Sequence, residues 1–343
     1  MVAKKIYVAY FSLFFLMLFA AVQGHGQTST KPKTIFEHLT PQEGAEITLE
    51  TDLTTIMANR YSADYLPAML TLSDGKSFVV KVQPKGKYRR KTAEVPPMKI
   101  KFPKKTLLEQ GLDTLNEVRL VFPCFDSDKG DRLIIKEYLI YRMFERLTSN
   151  CVRARLVRVT LRDNHVETSS RKMFALLVED NEETAARLNG IQVEQYGIPY
   201  DSMVMEQAAL AAVFQYMIGN TDWDVPMMRN VRLIRPKDSR ILVVPYDFDF
   251  SGFVSAPYAS PSSESGLMTV RDRFLMANGI PREALRQAVQ TLKNAQHDLY
   301  SLCDSKYLTR DTSNDMVRYL ESFFKSIDRN NDVPSKAGVA LTD

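Results

Sequence analysis

Cysteine and histidine are scarce: three and four residues in a chain of 343. So few cysteines exclude a small scaffold stapled by disulfides. Cys124, Cys151 and Cys303 lie far apart with no metal-ligand spacing, and are expected to pack as small apolar groups. No pair of histidines has ligand spacing, which argues against a zinc-type hydrolase. An excess of one charge is also missing, since 45 Lys and Arg stand against 41 Asp and Glu, a formal +4. That balance argues against a nucleic-acid binder, and the basic run Lys85 to Lys91 is interleaved with Tyr88 alone. With 45% apolar and 25% charged residues, the composition is that of a globular protein rather than a disordered, collagenous or coiled-coil one. The length suffices for one large domain or two lobes.

One long apolar run is present, from Ile6 to Val22, preceded by Lys4 and Lys5 and followed by Gln23-Gly24. This reads as a signal peptide over residues 1–24, with an uncleaved anchor as the alternative. No second run of that length follows. The expectation is a protein secreted or held in the periplasm or cell envelope, without stable membrane insertion after cleavage.

Residues 25–47 read as a polar, flexible lead-in. Residues 48–180 read as a strand-rich half that opens with an antiparallel sheet up to Phe102: Met69–Leu72 and Phe78–Val82 flank the turn Ser73-Asp74-Gly75-Lys76, and Met98 to Phe102 alternates apolar with Lys99 and Lys101. Asp131 to Leu147 has a helical apolar face of Leu133, Ile134, Tyr138, Tyr141 and Phe144, with Glu137 inside it. An acid on an apolar stripe needs a partner or a purpose. Strands follow over Arg155–Leu161 and Met173–Val178. Residues 181–328 read as a helix-rich half: a buried helix over Ser202–Ile218, a hairpin of Val231–Ile234 and Ile241–Val244, and closing helices near Arg282–Leu302 and Ser313–Ile327. A polar tail occupies 329–343.

The chemistry concentrates at the hairpin. Gly219-Asn220-Thr221-Asp222-Trp223 precedes it, Asn230 enters it, and Pro245-Tyr246-Asp247-Phe248-Asp249 leaves it. Because a hairpin brings its ends together, Asp222, Asn230 and Asp247 are expected as neighbours. Converging carboxylates and an amide can hold a hard divalent cation, and one carboxylate can orient or deprotonate a hydroxyl. Acids in such loops also commonly cap turns.

These two acidic motifs resemble those of the CotH kinase family, exported atypical kinases distantly similar to HipA-type kinases. Weaker matches are the strand and turn Leu120-Val121-Phe122 to Asp128 with its helix, Phe174 to Glu179, Gly86-Lys87-Tyr88-Arg89-Arg90, and Pro97 to Phe102. The resemblance implies an α+β, two-lobed protein-kinase-like fold. It implies a phosphotransferase that moves phosphate from a nucleotide, ATP, to an exported protein hydroxyl with Mg²⁺ or Mn²⁺. Asp222 would be the catalytic acid, and Asn230, Asp247 and Asp249 would hold the metal. Lys99 or Lys101 would contact phosphate and pair with Glu137. Gly86 and Arg89 would cover or neutralise phosphate, and Glu179 and Asp180 would sit beside the adenine. Asp224 stands where the family often has His, which leaves open a branch that keeps the fold as a binding or envelope module without catalysis.

Overall fold

The computed structural model describes residues 31–166 and 170–330. The expected signal peptide and nearly all of the expected tail lie outside them.

Strand periodicity dominates the first half. Strands β1 (Ala45–Thr51), β2 (Leu66–Leu72), β3 (Ser77–Pro84), β4 (Met98–Lys101), β5 (Glu117–Val121), β6 (Ala154–Asp163) and β7 (Ser170–Glu179) close into a barrel in the order β1-β2-β3-β4-β5-β7-β6. Alternate residues turn inward, as in β1, where Ala45, Ile47, Leu49 and Thr51 are buried. Leu49, Leu70, Val80, Ile100, Leu120 and Leu177 share one core, and Phe78 meets Phe102 edge to face with centroids 5.5 Å apart.

The barrel overturns the expected fold. The α+β class stands, but a sheet closed on itself is not a two-lobed kinase fold. The antiparallel pairing expected of the first strands holds from β1 through β4, and the barrel closes through a parallel pair, β1 with β6, with Ala45 opposite Val157 and Thr51 opposite Asp163. Alternation shows which face of a strand is buried; it does not show which strand lies beside it.

The expected flexible lead-in also contains structure. Helix α1 (Ile35–Leu39) has a capping box, Thr34 with Glu37, and buries Ile35, Phe36 and Leu39 in the barrel core. Three more short helices connect the strands: α2 (Leu53–Ala58), α3 (Tyr88–Thr92) and α4 (Lys104–Glu109).

Helix α5 (Asp128–Leu147) begins at Ser127, whose hydroxyl accepts the Gly130 amide, and buries Ile134, Glu137, Tyr138, Tyr141 and Phe144. It joins the second apolar core, made with the outward face of β7 (Leu176, Val178) and the rest of the chain. There α6 (Asn181–Arg187) leads to a three-stranded antiparallel sheet of β8 (Gly190–Gln192), β9 (Val231–Pro236) and β10 (Leu242–Pro245). Helix α7 (Met205–Met217) is buried throughout from Gln207. It starts later than expected, because Tyr200–Ser202 form a separate 3₁₀ turn. Helices α8 (Arg282–Asn294), α9 (Gln296–Leu302) and α10 (Arg310–Asn330) complete the structure. All three cysteines are buried and unbridged. Among the described residues, no helix is long and apolar enough to cross a membrane.

Candidate functional site

A cavity of about 560 Å³ collects residues from five segments. The outer face of the barrel gives Arg119, Val121 and Val178, and Met98 of the barrel core reaches its edge; the turn into α3 gives Lys85, Gly86, Lys87, Tyr88 and Arg89; α5 gives Glu137 and Tyr141. The loop before β9 gives Asp222, Met228, Arg229 and Asn230, and the segment after β10 gives Tyr246, Asp247, Asp249 and Phe250.

Local folding sets both acidic segments. Asn220, buried behind the loop, accepts the Asp222 amide at 2.9 Å and donates to Gln215 at 3.0 Å. Asp224 and Arg229 exchange backbone hydrogen bonds at 2.9 and 2.8 Å, which closes a tight loop. Met228 and Asn230 take positive φ, at 48° and 52°; Asn tolerates that region, whereas Met rarely does. The Asn230 side-chain nitrogen then donates to the Asp222 carbonyl and, at 2.9 Å, to its Oδ2. At the other end of the hairpin, the Tyr246 amide donates to the Asn230 carbonyl at 3.0 Å. Asp247 follows at φ 62°, its amide donating to the Tyr141 hydroxyl at 2.8 Å. Pairing of β9 with β10 thus brings Asp222, Asn230, Asp247 and Asp249 onto one cavity.

Arg89 is the hub of the charged end. Its Nε meets Asp249 at 3.0 Å and its Nη2 meets Glu137, while Nη1 is buried with no hydrogen-bond partner. Burial opposes the charge on Arg89, but Asp249 and then Glu137 outweigh it and hold its pKa well above the usual guanidinium value. Glu137 goes the other way: burial raises its pKa, and Arg89 only partly pulls it back. Asp249 also accepts the Tyr258 hydroxyl at 3.1 Å.

The carboxylate of Asp247 makes no hydrogen bond or ion pair among the described residues. Burial pushes its pKa well above the usual range; Asp249 adds to that, and Glu137 and Asp222 push further against the opposing effect of Arg89. Asp222, half-buried, is raised as well by burial, against the nearby Arg229, whose Nη1 lies 3.9 Å from Oδ1.

Several expected roles need correcting. Lys99 and Lys101 do not line the cavity: Lys99 pairs with Glu117, and Lys101 joins the same carboxylate at 3.2 Å. The reason is cross-strand register, since Lys101 sits opposite Glu117 on β5. The cation paired with Glu137 is therefore Arg89, not a lysine of β4. Glu179 is fully buried between Arg153 at 2.9 Å and Arg187 at 2.7 Å, and Asp180 caps α6 and pairs with Arg119 at 3.4 Å. Neither side chain lines the cavity. Asp249 is committed to Arg89 and Tyr258. Gly86 is on the wall at φ 96°, where an added Cβ would come only as near as 3.8 Å to Pro97; its backbone angle, not space, requires glycine.

The sequence reading missed Arg119, Tyr141, Arg229 and Tyr246. Tyr141 was visible only as part of an apolar stripe, and no local pattern singled out Arg119.

The oxygen-rich donor set at Asp247 and Asp222 is of the kind a hard cation prefers, and the crowding of negative charge around an unpaired Asp247 favours one there. Among the described residues, no group of three or more His, Cys, Asp or Glu side chains is already drawn together as a metal cage. A cation would thus rest on Asp247 with a neighbouring carboxylate, supplemented by waters or by a ligand's own oxygens. No family model matches the chain, and no curated protein matches it.

Proposed function

We propose that the cavity is the site of a divalent-cation-dependent phosphotransferase, which takes a phosphoryl group from a nucleoside triphosphate and gives it to a protein hydroxyl outside the cytoplasm. The observation that carries this reading is the unpaired Asp247 carboxylate, set among Asp222, Asp249 and Glu137 and beside Arg89, in a cavity whose wall also carries Lys85 and Lys87. Phosphoryl transfer demands positioning and charge stabilisation rather than a particular fold, so the barrel is no obstacle.

The residues divide the work by chemistry. Arg89 lines the cavity and is held rigidly by Asp249 and Glu137, so its positive charge is fixed beside the site of the phosphate. Lys85 and Lys87 add positive charge on the same wall. Asp222, held by Asn230, orients the acceptor hydroxyl and takes its proton; its raised pKa brings it nearer to the pH at which a general base works best. A divalent cation at Asp247 would neutralise charge on the transferred phosphate.

The test is the melting temperature of the purified protein with ATP, GTP and ITP, with and without Mg²⁺. A Mg²⁺-dependent rise that vanishes in Asp247→Asn supports the reading, because a ligand that binds only the folded state must stabilise it. No rise with any nucleotide, in a sample that melts cooperatively, would sink it and leave the non-catalytic binding module in its place.

A further inference from the structure

We infer that Tyr141 is the positioning residue of the cation site: by holding the Asp247 amide, its hydroxyl sets where the Asp247 carboxylate stands, without itself binding the cation. The inference rests on the cation reading above and adds the residue that governs its affinity.

Four acids line the cavity, and they are held in two ways. Asp222 is fixed through its carboxylate, which accepts the Asn230 side chain at 2.9 Å. Asp249 and Glu137 are fixed through theirs, by Arg89. Asp247 differs, because its carboxylate has no hydrogen bond or ion pair among the described residues. Its lone pairs stay open to a ligand, but its place then depends on the backbone that carries it. That backbone is not relaxed. At φ 62° Asp247 lies in the left-handed region, which a non-glycine residue keeps only where its surroundings impose it.

The residues on either side are anchored independently. The Tyr246 amide donates to the Asn230 carbonyl at 3.0 Å, and Phe248 is fully buried with its ring 6.2 Å from that of Phe214. At Asp247 itself the anchor is Tyr141. Its hydroxyl accepts the Asp247 amide at 2.8 Å, the one hydrogen bond that Asp247 makes among the described residues. The Tyr141 ring meets the Phe248 ring edge to face at 4.8 Å, so the hydroxyl is held in place by the same contact that seats the turn. An amide deprived of this acceptor would turn toward another, and the carboxylate would turn with it.

Tyr141→Phe removes the oxygen and keeps the ring against Phe248. The probe is Mn²⁺ alone, titrated into the intact protein and followed by electron paramagnetic resonance. The variant is expected to bind Mn²⁺ about tenfold more weakly, the lower end of what losing the group behind a metal ligand costs. Asp247→Asn should weaken Mn²⁺ by at least as much. Tyr138→Phe is the control, since it removes a hydroxyl from the same helix that pairs with Glu43 at 3.0 Å and Arg142 at 2.9 Å and does not line the cavity. Whatever it costs in Tm, Mn²⁺ affinity should stay within about twofold, because the two sites share no partner. Affinity lost in Asp247→Asn but kept in Tyr141→Phe overturns the inference and leaves the cation site standing. An equal loss in Tyr138→Phe also overturns it, by showing a general loosening of α5. No Mn²⁺ bound by the unaltered protein, or equal binding by Asp247→Asn, removes the cation site and the inference with it.

Discussion

Arg89→Met tests the charged hub most directly. Arg89 is only 7% exposed, and its side chain is the one cation between Glu137 and Asp249. Methionine fills much the same volume, so the change removes charge more than packing. Two carboxylates then remain in a buried site without their partner. Breaking a buried pair on one side costs about 3–5 kcal/mol, since the stranded charge keeps its desolvation penalty. For a chain of this size that is on the order of 10 °C in Tm. Urea unfolding followed through Trp223, the single tryptophan and a buried neighbour of Asp222, reads the change. The pH dependence supplies an independent check. Glu137 already has a folded-state pKa raised above its unfolded value, and the loss of Arg89 raises it further. A carboxyl of that kind binds its proton more tightly when folded, so stability is highest at acid pH and is lost as pH rises through the folded pKa. The deficit of Arg89→Met should therefore be smaller at pH 5 than at pH 8. Adding Glu137→Gln should recover 1 kcal/mol or more at pH 8, roughly the relief from one unpaired buried acid. A deficit below about 1 kcal/mol, the same at both pH values and unchanged in the double variant, would refute the account of Arg89 as the partner of both acids.

Three further outcomes are expected. Asp222→Asn should lower nucleotide turnover by about 10²-fold or more while leaving nucleotide affinity within about twofold, as measured by nucleoside diphosphate release and calorimetry. Glu183, whose carboxyl accepts from Thr34 and Arg153, has its pKa raised to about 7, chiefly by burial. Its proton is held in the folded state, so stability should fall by on the order of 3 kcal/mol as pH rises from below 5 to above 7, and Glu183→Gln should flatten that fall in urea titrations across the range. Gly130→Ala should destabilise the start of α5 by about 3 kcal/mol or more in the same unfolding assay, because a Cβ there would stand 1.9 Å from the Phe125 carbonyl oxygen; α5 carries Glu137 and Tyr141 to the cavity.

Local pattern determined much of this protein. Apolar alternation marked β2, β3, β4, β6 and β7, and helical spacing marked α5, including the anomaly of Glu137 on its apolar face. Two acidic motifs at the ends of one hairpin placed Asp222 near Asp247, because a short antiparallel pair fixes the distance between its own ends. The tertiary structure decided what links distant segments. Closure of the barrel depends on pairing Ala45 with Val157, and nothing in the residues of either strand names the other. Helix α1 looked too polar and too short to hold a shape, yet the barrel core orders it through three buried side chains. The charged partners were equally illegible. Lys99 and Lys101 went to Glu117 through cross-strand register, and Arg89, 48 positions before Glu137 in the chain, took the place expected of a lysine. Sequence spacing fixes a residue's partners only within a helix turn or across a tight hairpin. Beyond that reach, the path of the backbone chooses which charges meet, and burial sets how strongly they must be answered.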